Sequence, residues 1–407
     1  MKKDAKKKKW VLKRHKVIRN VLFGTLGVFS RLRYRIKIKK FREDKKRNYL
    51  VLFNHQTAFD QFFVGISFKE PVYFVASEDI FTKGWVSKLI KFLVNPIPIK
   101  KQGTDVRAIL NCMKVAKEGG TIALAPEGNR TYDGKTVYIN PTIVPLARKL
   151  GLPVLLYRIE GGYGVHPRWS DVVRRGKMVS YVSKIIEPEE YKNYSDGEFL
   201  DVIKSGLYVD EGKADAEFFH KKQAEYLERA MYVCPFCGLS EFESHGDIIE
   251  CKKCGRKIKH LPTKQLQGEG FEFPFEFVSA WYDYQCEYIN SLDVTEMAEK
   301  ALYTDRVRYF EVIPYCKKTM ICPDITVMLY GDRIEFALGN EIFCHHFNDV
   351  SAISVLGRNK LNIYHGNNVY QLKGGKRFNA LKYLNIYHRY RNITKGEKAK
   401  DGKFLGL

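Results

Sequence analysis

No uncharged stretch of this 407-residue sequence reaches the roughly 18 residues a membrane-spanning helix needs. No small-residue cleavage site follows its short N-terminal apolar run, which argues against a secretory signal and for a protein that stays inside the cell. There is no internal repeat, and low complexity is confined to the Lys-rich start. Acids are scarce, 46 against 69 Lys and Arg. A disulfide framework is also missing: the nine cysteines are odd in number. Four form two Cys-x-x-Cys pairs, and Cys112, Cys286, Cys316, Cys322 and Cys344 are scattered. That usage points to metal in a reducing compartment.

The formal net charge of +23 is unevenly placed: residues 1–50 hold 20 Lys or Arg against Asp4, Glu43 and Asp44. A basic end on a near-balanced body points to an anionic surface, either lipid head groups or nucleic acid. Within that end, Val17, Ile18, Val21, Leu22, Leu26 and Phe29 recur at helical spacing between basic clusters. A short apolar helix flanked by cations suits the membrane interface, although the same pattern would fit a core helix with a solvated tail.

From about Arg47 to Ser183, short apolar runs alternate with helical periodicity. Tyr49–Phe53, Val72–Val75, Ile97–Ile99, Thr121–Leu124, Val154–Tyr157 and Met178–Val182 read as buried strands. Phe62–Ile66, Lys83–Leu93, Asp105–Lys117 and Ile143–Lys149 read as helices. The alternation implies an α/β domain with helices on a mostly parallel sheet. Ala214–Tyr232 reads as one amphipathic helix. Beyond about Pro262 the texture becomes short alternating strands with turn residues, closed by a helix over Phe378–Tyr390. Strands ended by a helix resemble a pleckstrin-homology-like module in topology alone. The expected partition is a basic interface segment (1–45), an α/β domain (46–230), a cysteine-rich ribbon (231–262) and a β-rich C-terminal domain (263–407).

Asn54-His55-Gln56-Thr57-Ala58-Phe59-Asp60 directly follows a strand, where α/β folds place active sites. An imidazole can take a proton near neutral pH, and a carboxylate on one ring nitrogen fixes its tautomer. A lone His and Asp five residues apart would more readily be a histidine packed at a strand end. Further segments change that balance. Ala125-Pro126-Glu127-Gly128-Asn129-Arg130-Thr131 follows a second strand; Gly128 permits close backbone approach and Arg130 offers a fork for a phosphate. Ile99-Lys100-Lys101 sets two cations at the end of a third. Ile143-Val144-Pro145-Leu146-Ala147 follows later.

In this order the segments resemble the 1-acylglycerol-3-phosphate (glycerolipid) acyltransferase family. Asn54, His55, Thr57 and Asp60 match its first block; Pro126, Glu127, Gly128, Arg130 and Thr131 follow its Pro-Glu-Gly-Thr-Arg-Ser block, with Asn129 in place of Thr. Pro145 matches the fourth block. The resemblance covers roughly residues 45–190. It implies that His55 is a general base oriented by Asp60. It further implies that Lys101, Glu127, Gly128 and Arg130 line the acceptor's phosphate site, and that Pro145 shapes the acyl-donor side. The donor would be an acyl thioester on acyl carrier protein or coenzyme A, and the acceptor a lysophospholipid at the cytoplasmic face of a membrane. The second block departs from the pattern: Lys101 stands where the family has Arg, and a Lys cannot grip a phosphate bidentately.

Cys234-Pro-Phe-Cys237 and Cys251-Lys-Lys-Cys254 are separated by 13 residues, each pair followed by glycine. Four thiolates at this spacing make a closed tetrahedral site, expected to hold structural zinc. The competing view makes the chain a non-catalytic lipid- or nucleic-acid-binding protein. Against nucleic acid, Glu241, Glu243, Asp247 and Glu250 nearly cancel the ribbon's basic residues, so the excess charge lies elsewhere.

Overall fold

In a computed structural model, the described residues are 9–396 apart from 45, 100–104, 137, 314, 315 and 340. The elements of the first part are α1 (Lys13–Tyr34), β1 (Ile36–Ile38), β2 (Leu50–Phe53), α2 (Asp60–Ser67), β3 (Val72–Ser77), α3 (Trp85–Val94), β4 (Ile97–Ile99), α4 (Val106–Lys117) and β5 (Thr121–Leu124). They continue with α5 (Ile143–Leu150), β6 (Val154–Glu160), α6 (Gly162–Val165), β7 (Met178–Ile186), α7 (Pro188–Tyr191) and α8 (Asp196–Leu207). The strands form one sheet in the order β1-β7-β6-β2-β5-β3-β4. Only the β6–β7 pair is antiparallel.

A parallel sheet must be covered on both faces, which is why β2 reads as an unbroken apolar run. Leu50 and Leu52 pack with Cys112 of α4, Val144 of α5 and Ile203 of α8. Val51 and Phe53 face the other way, toward Phe63 and Val64 of α2 and Tyr34 of α1. The polar stretch after β7 holds a helix the periodicity did not reveal, α8, started by a capping box between Ser195 and Glu198.

The N-terminal helix is longer than its apolar pattern and is docked. Gly65 lets α1 lie on α2, because a Cβ there would come within 2.8 Å of the Phe23 ring. The amides of Trp10 and Val11 donate to Glu118 Oε2 at 2.7 and 2.8 Å. The outer face of α1 leaves Val17, Val21, Val28 and Leu32 exposed, and Trp85, Leu89 and Phe92 of α3 are exposed too. Among the described residues, no helix is long and apolar enough to cross a membrane.

One expected helix is absent. Ala214–Tyr232 contains only a 3-10 turn at Leu227–Arg229. Here tertiary packing overrides amphipathic spacing. Phe218 fills the space left by Gly164 and Gly176, where any side chain would collide with its ring. Phe219 pairs as an isolated bridge with Arg175.

The ribbon comprises β8 (Val233–Cys234), β9 (Gly238–Leu239), β10 (Phe242–His245), β11 (Ile248–Cys251), β12 (Lys257–His260) and β13 (Leu266–Gly268). After α9 (Val278–Ser291) come β14 (Tyr303–Ile313), β15 (Lys317–Leu329), β16 (Arg333–Leu338), β17 (Glu341–His346), β18 (Val350–Leu356), β19 (Lys360–His365) and β20 (Asn368–Gly374), closed by α10 (Leu381–Lys395). These last strands form one antiparallel sheet in the order β17-β16-β15-β14-β20-β19-β18. Strands followed by a closing helix are what the sequence led us to expect; α9, before them, is an addition. The ribbon, α9 and this sheet share one core, which also takes in Tyr132 and Trp169 from the α/β part.

We expect Phe218→Ala to destabilise the fold by about 3 kcal/mol, since a buried ring is lost and rigid backbone lines the gap. Urea unfolding followed by circular dichroism measures it.

Candidate active site

The end of β2 is held open by a side chain acting as backbone. Asn54 donates from Nδ2 to the Ile159 carbonyl at 2.8 Å and accepts from the Ile159 amide at 2.7 Å. This extends the β2–β6 pairing by one residue and fixes where His55 leaves the sheet. Asp60 then opens α2 fully buried. A buried carboxylate is tolerated only when its oxygens are satisfied. Asp60 accepts from the Gln56 amide at 2.7 Å, from the Thr57 amide at 2.9 and 3.0 Å, and from Thr57 Oγ1 at 2.7 Å. Its Oδ2 also meets His55 Nδ1 at 2.8 Å. The turn across residues 55–60 thus brings the pair together despite their spacing.

With Nδ1 engaged, Nε2 is left as the basic nitrogen. The His55 side chain is 24% exposed, enough to meet a substrate. Burial pushes its pKa below the ordinary imidazole value; the bond and charge of Asp60 oppose that, and Arg130 and Arg168 reinforce it. The ring is therefore neutral, and able to accept a proton, at neutral pH.

The loop after β5 is tied to this turn. The buried Glu127 accepts the His55 amide at 2.7 Å, and the Thr131 amide donates to the His55 carbonyl at 3.3 Å. Gly128 has φ +69°, the left-handed region that favours glycine. The Arg130 carbonyl accepts from Arg168 Nη1 at 3.0 Å. Arg130 Nη1 is itself buried without a hydrogen-bond partner. Burial, then the charges of Arg168 and Arg358, push this guanidinium down to about 9. A buried donor with no acceptor, among like charges, is suited to receive an anion.

Lys100 and Lys101 are outside the described residues. Pro145 is exposed in the first turn of α5, a helix on the opposite face of the sheet from α2. His166 is a buried residue capping α6, and its Nε2 meets Arg358 Nη2 at 2.8 Å. Arg168 and Arg358 escaped the sequence reading. Neither lies in a recognisable motif, and Arg358 arrives from the far end of the chain.

In the ribbon, the four sulfurs of Cys234, Cys237, Cys251 and Cys254 lie within 4.8 Å of one another. Gly238 and Gly255 take φ of +70° and +69°, so each pair sits on a tight turn. Four thiols gathered at this spacing can hold a metal ion.

A family model described as Acyltransferase matches residues 33–159. The match contains both halves of the site, His55 with Asp60 and Glu127 with Arg130. The segment 33–159 is similar to the acyltransferase family. A curated relative, a chloroplastic 1-acyl-sn-glycerol-3-phosphate acyltransferase of Brassica napus, is 25% identical over 139 residues. That match takes in 33% of this chain and 39% of the relative's own length. Among solved structures, the chain is similar to the 1-acyl-sn-glycerophosphate acyltransferase PlsC of Thermotoga maritima, at 24% identity and a TM-score of 0.39. The likeness covers 47% of this chain and 76% of that one. The ribbon and the C-terminal sheet lie outside the matched family segment.

Asp60→Asn removes the charge that raises the His55 pKa and leaves burial unopposed. We expect the imidazole to titrate lower still in this variant, as read from the ring protons of His55 by NMR.

Proposed function

We propose that the protein is an O-acyltransferase that moves a fatty acyl group from a thioester to a hydroxyl of a lysophospholipid such as 1-acylglycerol-3-phosphate. The observation that carries this reading is the His55–Asp60 pair, joined through Glu127 to a loop whose Arg130 has an unmet buried donor. His55 Nε2 takes the acceptor's hydroxyl proton as that oxygen attacks the thioester carbonyl carbon. The carbon–sulfur bond then breaks, and the departing thiolate receives the proton from the imidazolium. Asp60 steadies the ring and its positive charge through the cycle. Both substrates can react directly, so no acyl-enzyme is needed. The donor carrier is acyl carrier protein or coenzyme A.

The same reading assigns the acceptor's phosphate to Arg130, Glu127 and Gly128 at the loop, together with Lys101. The exposed apolar faces of α1 and α3, with the basic N-terminal segment, meet an anionic membrane surface peripherally, on its cytoplasmic side. The cysteine cluster holds structural zinc, a closed site with no open position for chemistry.

Acyl transfer to lysophosphatidic acid on anionic vesicles tests the proposal. We expect product with the native chain and a loss of about 10²–10⁴-fold in His55→Ala. No product with any acyl thioester and any lysolipid would sink it. The rate should rise with pH through an apparent pKa below 6.5, because burial keeps His55 neutral to lower pH than a free imidazole. For the ribbon, we expect metal analysis to find one zinc per chain, and chelation to lower the unfolding temperature. Cys251→Ser should reproduce both the metal loss and the lowered temperature.

A further inference from the structure

Next to Arg130, the α/β domain meets the C-terminal sheet. Its β18–β19 turn, made possible by Gly357 at φ +61°, reaches across to the α/β domain. Arg168 is the joint. It donates to the carbonyl of Arg130 at 3.0 Å, and to those of Val355 and Gly357 at 3.3 Å each. Its guanidinium also lies over the Tyr132 ring, 4.1 Å from the centroid. The next residue of the turn, Arg358, bonds His166 Nε2 at 2.8 Å and Asp171 Oδ1 at 3.0 Å. The His166 ring sits 5.9 Å from that of Tyr34, and Tyr34 lies 5.0 Å from Phe59, the residue before Asp60. Arg358 is thereby linked through His166 and Tyr34 to the catalytic turn.

The charges in this pocket do not balance. Arg130, Arg168 and Arg358 converge there. Among the described residues, Asp171 meets this cluster but is shared with Arg229 at 2.7 Å, and Glu127 of the same loop accepts the His55 amide at 2.7 Å. Asp60 is taken up by its own turn and by His55. Two guanidinium nitrogens, Arg130 Nη1 and Arg358 Nε, are buried without any hydrogen-bond partner. Unmet cationic donors on facing elements call for a multivalent anion.

We propose that Arg358 joins Arg130 in binding the phosphate monoester of the acceptor, so that the C-terminal sheet completes the head-group site of the α/β domain. This rests on the acyl-transfer reading above. Arg168 acts as a positioning residue, holding the two arginines in register. The arrangement also bears on the departure at Lys101: a guanidinium from outside the α/β domain adds an unmet N–H donor, Arg358 Nε, to that of Arg130.

The test uses the full zinc-loaded chain. Binding of sn-glycerol 3-phosphate and of inorganic phosphate is measured by calorimetry. KM is measured for lysophosphatidic acid, for monoacylglycerol and for the acyl donor in mixed micelles. We expect Arg358→Gln to weaken glycerol 3-phosphate binding, and to raise KM for lysophosphatidic acid, by about tenfold or more. KM for monoacylglycerol and for the donor should move far less than KM for lysophosphatidic acid, and Arg358→Lys should recover part of the loss. Tighter binding of the ester than of inorganic phosphate assigns the site to a head group; the reverse order overturns that assignment. Asp171→Asn is the docking control, since it breaks ion pairs of Arg358 and Arg229 yet keeps every arginine. It should retain glycerol 3-phosphate binding, and an equal loss there would reduce Arg358 to a structural contact and overturn the proposal. Native-like binding in Arg358→Gln, or a rise in donor KM alone, would also overturn it. Should the native chain acylate monoacylglycerol yet fail to bind glycerol 3-phosphate, the inference falls and acyl transfer stands. Should no acceptor be acylated while Arg358→Gln still loses binding, the anion site stands and the functional reading falls.

Discussion

A carboxylate with no exposed surface, Asp60, must find donors for both oxygens, and the chain from Gln56 to Thr57 bends to provide them. That requirement shapes the whole turn between β2 and α2. It makes Asp60 the first residue of α2, where a negative charge is also favoured by the helix. It leaves one approach for His55 Nδ1, and so sets the ring's orientation. Everything else at the site is arranged around this turn: Asn54 locks its start to β6, and Glu127 grips the backbone of His55 from the loop after β5.

The second organising contact is longer in range. Arg168 takes carbonyls from the signature loop and from the β18–β19 turn at once. Tyr132, two residues past Arg130, stacks on Tyr282 of α9 at an interplanar angle of 10°. The loop is thus pinned at one end by the catalytic turn and at the other by a core that the ribbon and C-terminal sheet share. A four-cysteine ribbon has little apolar core of its own, and a bound metal would stiffen it. The ribbon, α9 and Tyr132 share one core.

The N-terminal segment shows the same economy. Its charges and apolar spacing read as a membrane-interface segment; α1 is packed over α2 by Phe23, and His15 is buried against Tyr73 at 3.0 Å. Ile18, Leu22 and Leu26 are half-buried, while Val17, Val21, Val28 and Leu32 look outward. One helix thereby serves both the α/β layer and an apolar outer face.

Much of this was legible in one dimension. The strands of the α/β sheet are continuous apolar runs because both faces are covered, and motif residues sit at their ends because chain direction puts loops there. His55, Asp60, Glu127 and Arg130 lie in two short segments whose spacing is local, so sequence alone brought them forward. The cysteine pairs are local in the same way. Where the outcome depended on what a segment meets, the sequence was silent or misleading. Ala214–Tyr232 has helical spacing but is broken into turns, with Phe218 packed where Gly164 and Gly176 leave room. The turn bearing Arg358 carries no motif, and its place beside Arg130 exists only because β18 and β19 dock there. Local pattern determines which groups the chain carries and which elements bear them; the packing of distant surfaces, driven by burial and by the need to satisfy buried charge, decides which of them meet.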